Sequence, residues 1–161
     1  VKSGIQIRWN DVSGAAGYFV YKKVGGYWRY IGKTSANAFT DTTATPGSLN
    51  VYTVKAYDIT GNHSTYNTKG ITTKRLLTPK ITGSASVKSG IQIRWNDVSG
   101  AQGYYIYRKT GTGGWKYIGK ATSKTYTDKS AVKGTNYTYT VKAYSGSYVS
   151  TYSAKGITAK R

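Results

Sequence analysis

The sequence predicts an all-β fold built as two tandem β-sandwiches, and three observations carry that expectation. Residues 1–14, V-K-S-G-I-Q-I-R-W-N-D-V-S-G, recur letter for letter as residues 87–100; self-similarity at such a period marks tandem structural units. Tyr occurs 17 times beside abundant Thr, Ser, Val and Ile, which favour strands, while Glu and Met are absent and Leu occurs three times. Alternating segments are broken by turn residues about every 8–12 residues, the rhythm of a sandwich. After Gly26 the repeat register slips by one and returns before Ser64, so Trp28 answers to Trp115, Tyr52 to Tyr139 and Tyr66 to Tyr152. The boundaries predicted are 1–75 and 76–161, each about 80 residues and large enough to fold alone.

The elements follow in order. Gly4–Trp9 alternates with Ile5, Ile7 and Trp9 on one face, the period-two mark of a half-buried strand. Residues 11–17 are turn chemistry, and Tyr18–Lys23 is a second strand. Gly25-Gly26 makes a hairpin turn, answered by the longer Thr110–Gly114, before a third strand at Tyr27–Lys33. Ala38–Asp41 is a short fourth strand. Pro46-Gly47 marks a turn into a long fifth, Asn50–Tyr57, and His63–Lys74 supplies the last, interrupted at Gly70. Between the units, Leu76–Ser86 holds Pro79 and then K-I-T-G-S-A-S, the first strand of the second unit; Pro suits such an edge position. The first unit has no counterpart to this strand.

These pieces together resemble the fibronectin type III domain, in the form found as tandem repeats of bacterial surface and secreted proteins. I-Q-I-R-W matches its strand B, F-V-Y-K-K and Y-I-Y-R-K its strand C, W-x-Y-I-G-K its C′, and N-V-Y-T-V-K-A-Y and N-Y-T-Y-T-V-K-A-Y its strand F. The resemblance implies immunoglobulin-like sandwiches with sheets A-B-E and C′-C-F-G, the first unit lacking strand A. It implies a buried core Trp at Trp9 and Trp95. It also implies a tyrosine-corner hydrogen bond at Tyr137, where the first unit has Asn50 instead.

Composition narrows the chemistry. There is no Cys, so disulfide, thiolate-metal and thiol-catalytic readings are excluded. No apolar run approaches the length of a transmembrane helix, and without an initiator Met or signal pattern the chain is expected to start inside a larger, extracellular or cell-surface protein. All five acids are Asp; Asp11, Asp97, Asp41, Asp128 and Asp58 sit at strand ends, where Asx turns place them. His63 is the single histidine, within reach of Asp58 but with no third group to complete a catalytic set. No catalytic, cofactor or metal site is predicted, and no nucleic-acid-binding motif is present. The net charge is +19, divided as +7 over residues 1–75 and +12 over 76–161, a field that attracts polyanions.

One constellation rises above this background. If Tyr18 and Val20 face the core, alternation turns Phe19 and Tyr21 outward, with Lys55 and Tyr57 outward on the neighbouring strand and Trp28 beside them. The second unit repeats the set as Tyr105, Tyr107, Lys142, Tyr144 and Trp115. Tyr, Trp and basic groups are enriched on binding faces. The expected function is a non-catalytic repeat module that spaces a distant domain and binds anionic wall polymer or glycan weakly, with adjacent repeats as further partners. An adhesin for host glycoprotein or acidic polysaccharide, and an accessory domain of a polysaccharide-degrading enzyme, stay open.

Overall fold

A computed structural model describes residues 4–161; the first three letters of the repeated run lie outside it. The chain divides into two compact units, one ending at Arg75 and one spanning Leu76–Arg161. No helix occurs among the described residues.

The first unit comprises β1 (Ile5–Arg8), β2 (Gly17–Val24), β3 (Tyr27–Thr34), β4 (Ala38–Asp41), β5 (Leu49–Tyr57) and β6 (Ile71–Lys74). β1 pairs with β4, and the second sheet runs β3-β2-β5-β6. The second unit comprises β7 (Ile81–Val87), β8 (Gly90–Trp95), β9 (Gly103–Lys109), β10 (Lys116–Ala121), β11 (Thr125–Asp128), β12 (Asn136–Ser145), β13 (Tyr148–Val149) and β14 (Ile157–Lys160). Its sheets are β11-β8-β7 and β10-β9-β12, with β13 and β14 both on β12. Every described pairing is antiparallel.

Alternation places the cores. On β1, Ile5 and Ile7 are buried while Gln6 and Arg8 are exposed and bonded to each other, Arg8 Nη2 to Gln6 Oε1 at 2.9 Å. Ile5 and Ile7 meet Val20, Ala44 and Tyr52. The second core is larger, adding Trp95, Val98, Tyr104 and Tyr137 to Ile91, Ile93, Ile106, Tyr139 and Val141. Gly25 and Gly26, at φ of 58° and 87°, close the β2–β3 hairpin; positive φ at both central residues matches the twist of the flanking strands.

A carboxylate ties the two sheets of each unit together. Asp41 ends β4 and is 4 % exposed. It accepts hydrogen bonds from Tyr52 Oη on β5 at 2.7 Å, from Lys22 Nζ on β2 at 3.0 Å, and from Thr43 N and Oγ1 at 2.8 and 2.6 Å. Asp128 repeats the arrangement with Tyr139 Oη at 2.8 Å, Arg108 Nη1 at 2.7 Å, and Ser130 N and Oγ at 3.0 and 2.7 Å. The Asx turn expected at these residues is present, and the same side chain also spans the sandwich.

Two expectations need correction. Trp95 is buried at 3 % exposure, but Trp9 is half-buried. Leu76 and Ile81 pack on the core that contains Trp95, with Ile81 opposite Trp95 in the β7–β8 pairing. The last strand of the first unit is Ile71–Lys74 alone, not His63–Lys74. The Asn67 carbonyl accepts Thr53 Oγ1 at 2.9 Å, and its side chain accepts Lys69 N at 3.0 Å and Gly70 N at 3.2 Å, which draws the backbone into a turn before β6. The corner tyrosine is as expected: Tyr137 Oη accepts Val132 N at 3.2 Å. In the first unit Asn50 donates instead to the Ser48 carbonyl at 3.0 Å.

Candidate binding face

The outer face of the β3-β2-β5 sheet is built by register. Phe19 on β2 lies opposite Lys55 on β5 and Lys33 on β3, and Gly17 lies opposite Tyr57. Gly17 leaves room for the Tyr57 phenol: a Cβ there would stand 2.5 Å from its hydroxyl. Gly103 serves Tyr144 in the same way, at 2.7 Å. Gly70 and Gly156, at φ of 68° and 61°, carry the chain under Trp28 and Trp115; a Cβ at either would also strike a β5 or β12 carbonyl, at 2.6 and 2.4 Å.

All ten residues singled out in the sequence fall into two equivalent rows. In the first unit Lys23 Nζ stands 5.6 Å over Trp28, and Trp28 meets Tyr66 edge-on at 6.2 Å. Lys55 Nζ lies between two rings, 4.9 Å from Tyr66 and 6.0 Å from Tyr21. Tyr30 then bridges Tyr21 and Phe19, each at 6.0 Å, and Phe19 lies against Tyr57 at 4.5 Å and His63 at 5.2 Å. The second unit repeats the row: Lys109 over Trp115 at 5.1 Å, Trp115 to Tyr152 at 6.0 Å, Lys142 between Tyr152 at 5.0 Å and Tyr107 at 5.4 Å. Tyr117 continues it to Tyr107 at 5.8 Å and Tyr105 at 6.1 Å, and Tyr105 stacks on Tyr144 at 4.4 Å.

Sequence reasoning missed seven members of the rows: Lys23, Tyr30, His63 and Tyr66 in the first unit, and Lys109, Tyr117 and Tyr152 in the second. Tyr30 and Tyr117 are 55 % and 51 % exposed and join the two halves of each row. Tyr30 follows Trp28 in simple alternation and stands opposite Tyr21, so it shares their outer face; the bulge lies beyond it, at Ile31, before Gly32 pairs with Val20. Tyr66 and Tyr152 sit in the irregular segments before β6 and β14, where no strand pattern could place them. Their equivalence across the repeat was the available signal.

Charge on the face is one-signed. Among the described residues the ion pairs are Lys22–Asp41 and Arg108–Asp128, both turned into the sandwich. Lys23, Lys55, Lys109 and Lys142 therefore have rings, not carboxylates, for neighbours. Each such cation–π contact contributes about 0.5–1 kcal/mol at an exposed site. Together they hold long side chains in place that would otherwise lose rotamer freedom on meeting a ligand.

The possible acid–base pair is not assembled. Both Asp58 oxygens are taken by Thr60 and Asn62, whose hydrogen bonds pull its pKa down to about 2. The His63 ring stacks on Phe19 instead. No cluster of three or more potential metal-ligating side chains occurs among the described residues.

No protein-family model matches the chain. It is 37 % identical over 147 residues to Exoglucanase B of Cellulomonas fimi, covering 81 % of this chain and 13 % of that protein. It is 32 % identical over 142 residues to Endoglucanase B of Cellulomonas fimi, covering 81 % of this chain and 14 % of that protein. A shorter match, 38 % over 60 residues, joins it to the poly(3-hydroxybutyrate) depolymerase of Ralstonia pickettii, covering 37 % of this chain and 11 % of that protein. The chain thus spans a small part of the curated relatives it matches. The solved chicken CNTN1 FN1-FN3 domains align over 97 % of this chain and 60 % of that one, at 16 % identity and a TM-score of 0.45. In the second unit β7-β8-β11 and β10-β9-β12-β14 reproduce the A-B-E and C′-C-F-G order, with the tyrosine corner at Tyr137. The units are fibronectin type III-like domains. In these terms the aromatic rows lie on the C′-C-F face, continued by Tyr66 and Tyr152 of the F–G segments, and the buried carboxylate marks the end of strand E.

Proposed function

We propose that this fibronectin type III-like pair is a non-catalytic accessory part of a secreted bacterial polymer-degrading enzyme. It spaces other domains and keeps weak contact with polysaccharide or another anionic polymer through the two aromatic–lysine faces. The observation that carries this reading is the doubled row, conserved in geometry between the units and free of carboxylates. The relatives support the setting: two are glucanases by name, each several times longer than the matched stretch. A third is by name a depolymerase of a polyester, which favours a role common to different polymers over recognition of a single sugar. No helix among the described residues is long and apolar enough to cross a membrane, and the relatives' names, two glucanases and a polyester depolymerase, support an extracellular setting.

Binding is tested by co-sedimentation of the chain with insoluble glucan and by retention on polyuronate and polyphosphate columns of matched charge density. Tyr107→Ala and Lys142→Ala should each weaken retention several-fold more than Lys160→Ala, because tethered faces act together and loss of one removes the effective-concentration gain. Equal losses at all three positions would reduce the interaction to net charge and leave the spacer role alone. Hydrolysis of any of these polymers by the isolated chain would sink the accessory reading.

A further inference from the structure

Across each aromatic row the register sets a lysine on both sides of one ring. In the first unit Phe19 on β2 pairs with Lys33 on β3 and with Lys55 on β5. In the second, Tyr105 on β9 pairs with Lys120 on β10 and with Lys142 on β12. Cross-strand partners share a face, so the two lysines flank the ring from strands that lie two spacings, roughly 9–10 Å, apart. Another lysine on the same face, Lys23 or Lys109, lies over Trp28 or Trp115. Lysine stands at each of these positions in both units. The lysines that set the second unit apart lie in turns instead: Lys124, Lys129 and Lys133 answer to Asn37, Thr42 and Pro46 of the first. The faces thus keep their charge while the rest of the surface changes.

We propose that each face takes an acidic glycan, a chain of hexuronic acid residues laid across the strands. A pyranose rests on the Phe19 or Tyr105 ring, and the carboxylates of the sugars before and after it meet the flanking lysines. In an extended 1,4-linked uronan those two carboxylates are separated by about the distance between alternate strands. This rests on the glycan contact proposed above and narrows it to one chemical class. The ion pairs among the described residues lie inside the sandwiches, so the face lysines have no carboxylate of their own. A neutral sugar covering Lys55 or Lys142 would strip water from the ammonium without replacing it by a charged partner. A uronate supplies that partner through a charge-assisted hydrogen bond. A polyphosphate would meet the charge but bring no apolar surface to the rings, whereas the C–H face of a pyranose covers them. Single-stranded nucleic acid brings both rings and charge. Here, however, neighbouring rings already meet edge-on, Tyr21 with Tyr30 at 69° and Tyr107 with Tyr117 at 67°, which leaves a low corrugated surface and no open stacking step. The face cations are also lysines, point charges without the planar fork by which Arg grips phosphate.

The experiment is calorimetric titration of the full chain, at constant ionic strength, with an oligogalacturonate and with the same oligomer after its carboxyls are reduced to alcohols. The oligogalacturonate should bind at least about tenfold more tightly than the reduced form, and more tightly than a polyphosphate or an oligothymidylate of equal charge. Lys33→Gln combined with Lys120→Gln, one exposed lysine from each face, should weaken oligogalacturonate binding several-fold and leave the weak binding of the reduced form unchanged. Lys124→Gln combined with Lys129→Gln removes the same charge away from the faces and should change neither. Equal binding of the reduced oligomer, weakened by Tyr21→Ala combined with Tyr107→Ala, would overturn the acidic-glycan assignment and leave the glycan contact standing. Binding of neither oligomer would remove both. Tighter binding of the polyphosphate or the oligothymidylate would overturn the assignment in favour of a phosphate polymer, and equal losses in the two lysine pairs would reduce it to net charge.

Discussion

At the scale of the residue, the buried carboxylate governs how the fold responds to pH. Burial pushes the Asp41 pKa up, but hydrogen bonds from Thr43, Tyr52 and Lys22 outweigh it and hold the carboxyl at about 2. Asp128 is lowered against the same opposing burial by Ser130, Arg108 and Tyr139. A depressed carboxyl contributes stability that is fully present above its ordinary value near 3.8 and is lost as pH falls through the folded value. For Asp41 that contribution is about 2 kcal/mol, from a shift of nearly two units. Tyr52 and Tyr139 are shifted the other way, upward, by burial and by the neighbouring aspartate. Their contribution is present below pH 10 and is lost as pH rises beyond it. Urea midpoints should therefore plateau between about pH 4 and 10 and fall on both sides. Tyr139→Phe should cost about 1–2 kcal/mol of second-unit stability and flatten the alkaline fall. Asp128→Ala should cost more, about 3 kcal/mol, because it leaves Arg108 and Tyr139 unpaired near the core.

At the scale of the element, glycines decide where aromatic rings can lie. Gly156→Ala places a methyl against the Tyr139 carbonyl and the Trp115 ring in a backbone conformation that L-residues rarely adopt. It should destabilise the second unit by at least about 2 kcal/mol. Gly146 has positive φ but nothing within 4 Å of a Cβ, so Gly146→Asn should be nearly silent in the same denaturation experiment. Strands were legible in the sequence because Ile5/Ile7, Tyr18/Val20 and Tyr139/Val141 recur at every second position, with Gln6, Phe19 and Thr140 between them. The four-residue β4 was legible too, from its β-propensity and its closing Asp. The segment from His63 to Gly70 was not legible. Its conformation depends on Thr53 and Asn67, which meet across 14 positions of sequence, and no local pattern reports such a bond. The face was legible in the ten residues singled out; Tyr30 and Tyr117 stand two positions after Trp28 and Trp115, within reach of the same alternation, whereas Tyr66 and Tyr152 reach the face from turns. The partnership of Asp41 with Tyr52 and Lys22 was hidden for the same reason: a turn aspartate looks alike in sequence whether or not it spans a sandwich.

At the scale of the whole molecule, the two units share a plan and differ in how well it is filled. Trp9 is half-buried where Trp95 is covered, and the first core is smaller. Calorimetry should resolve two unfolding transitions, the first unit melting at the lower temperature, with Trp9→Phe moving only the lower one and Trp95→Phe only the upper. A single transition unaffected by Trp9→Phe would contradict the independence of the cores. The charge of +19 sets the behaviour toward polymers. Retention on a polyanion should fall steeply between 0.1 and 1 M salt, as the Debye length shrinks from about 10 Å to about 3 Å. The part of the binding due to ring stacking should persist at high salt and fall in Tyr107→Ala, which disrupts one of the two rows.

Lys142 rests between the faces of Tyr107 and Tyr152, and Lys55 between Tyr21 and Tyr66. Protons held above an aromatic ring lie in the shielding cone of its ring current. The ε-methylene resonances of these two lysines should therefore stand upfield, with those of Lys22, Lys23 and Lys109 over their own rings, of the crowded envelope formed by the remaining lysines. Each face thus contains its own spectroscopic marker. A ligand that lifts the lysine off its rings would move that resonance back toward the envelope, and one that settles over the row without disturbing it would not. The two units can be read separately in one spectrum, with no label introduced.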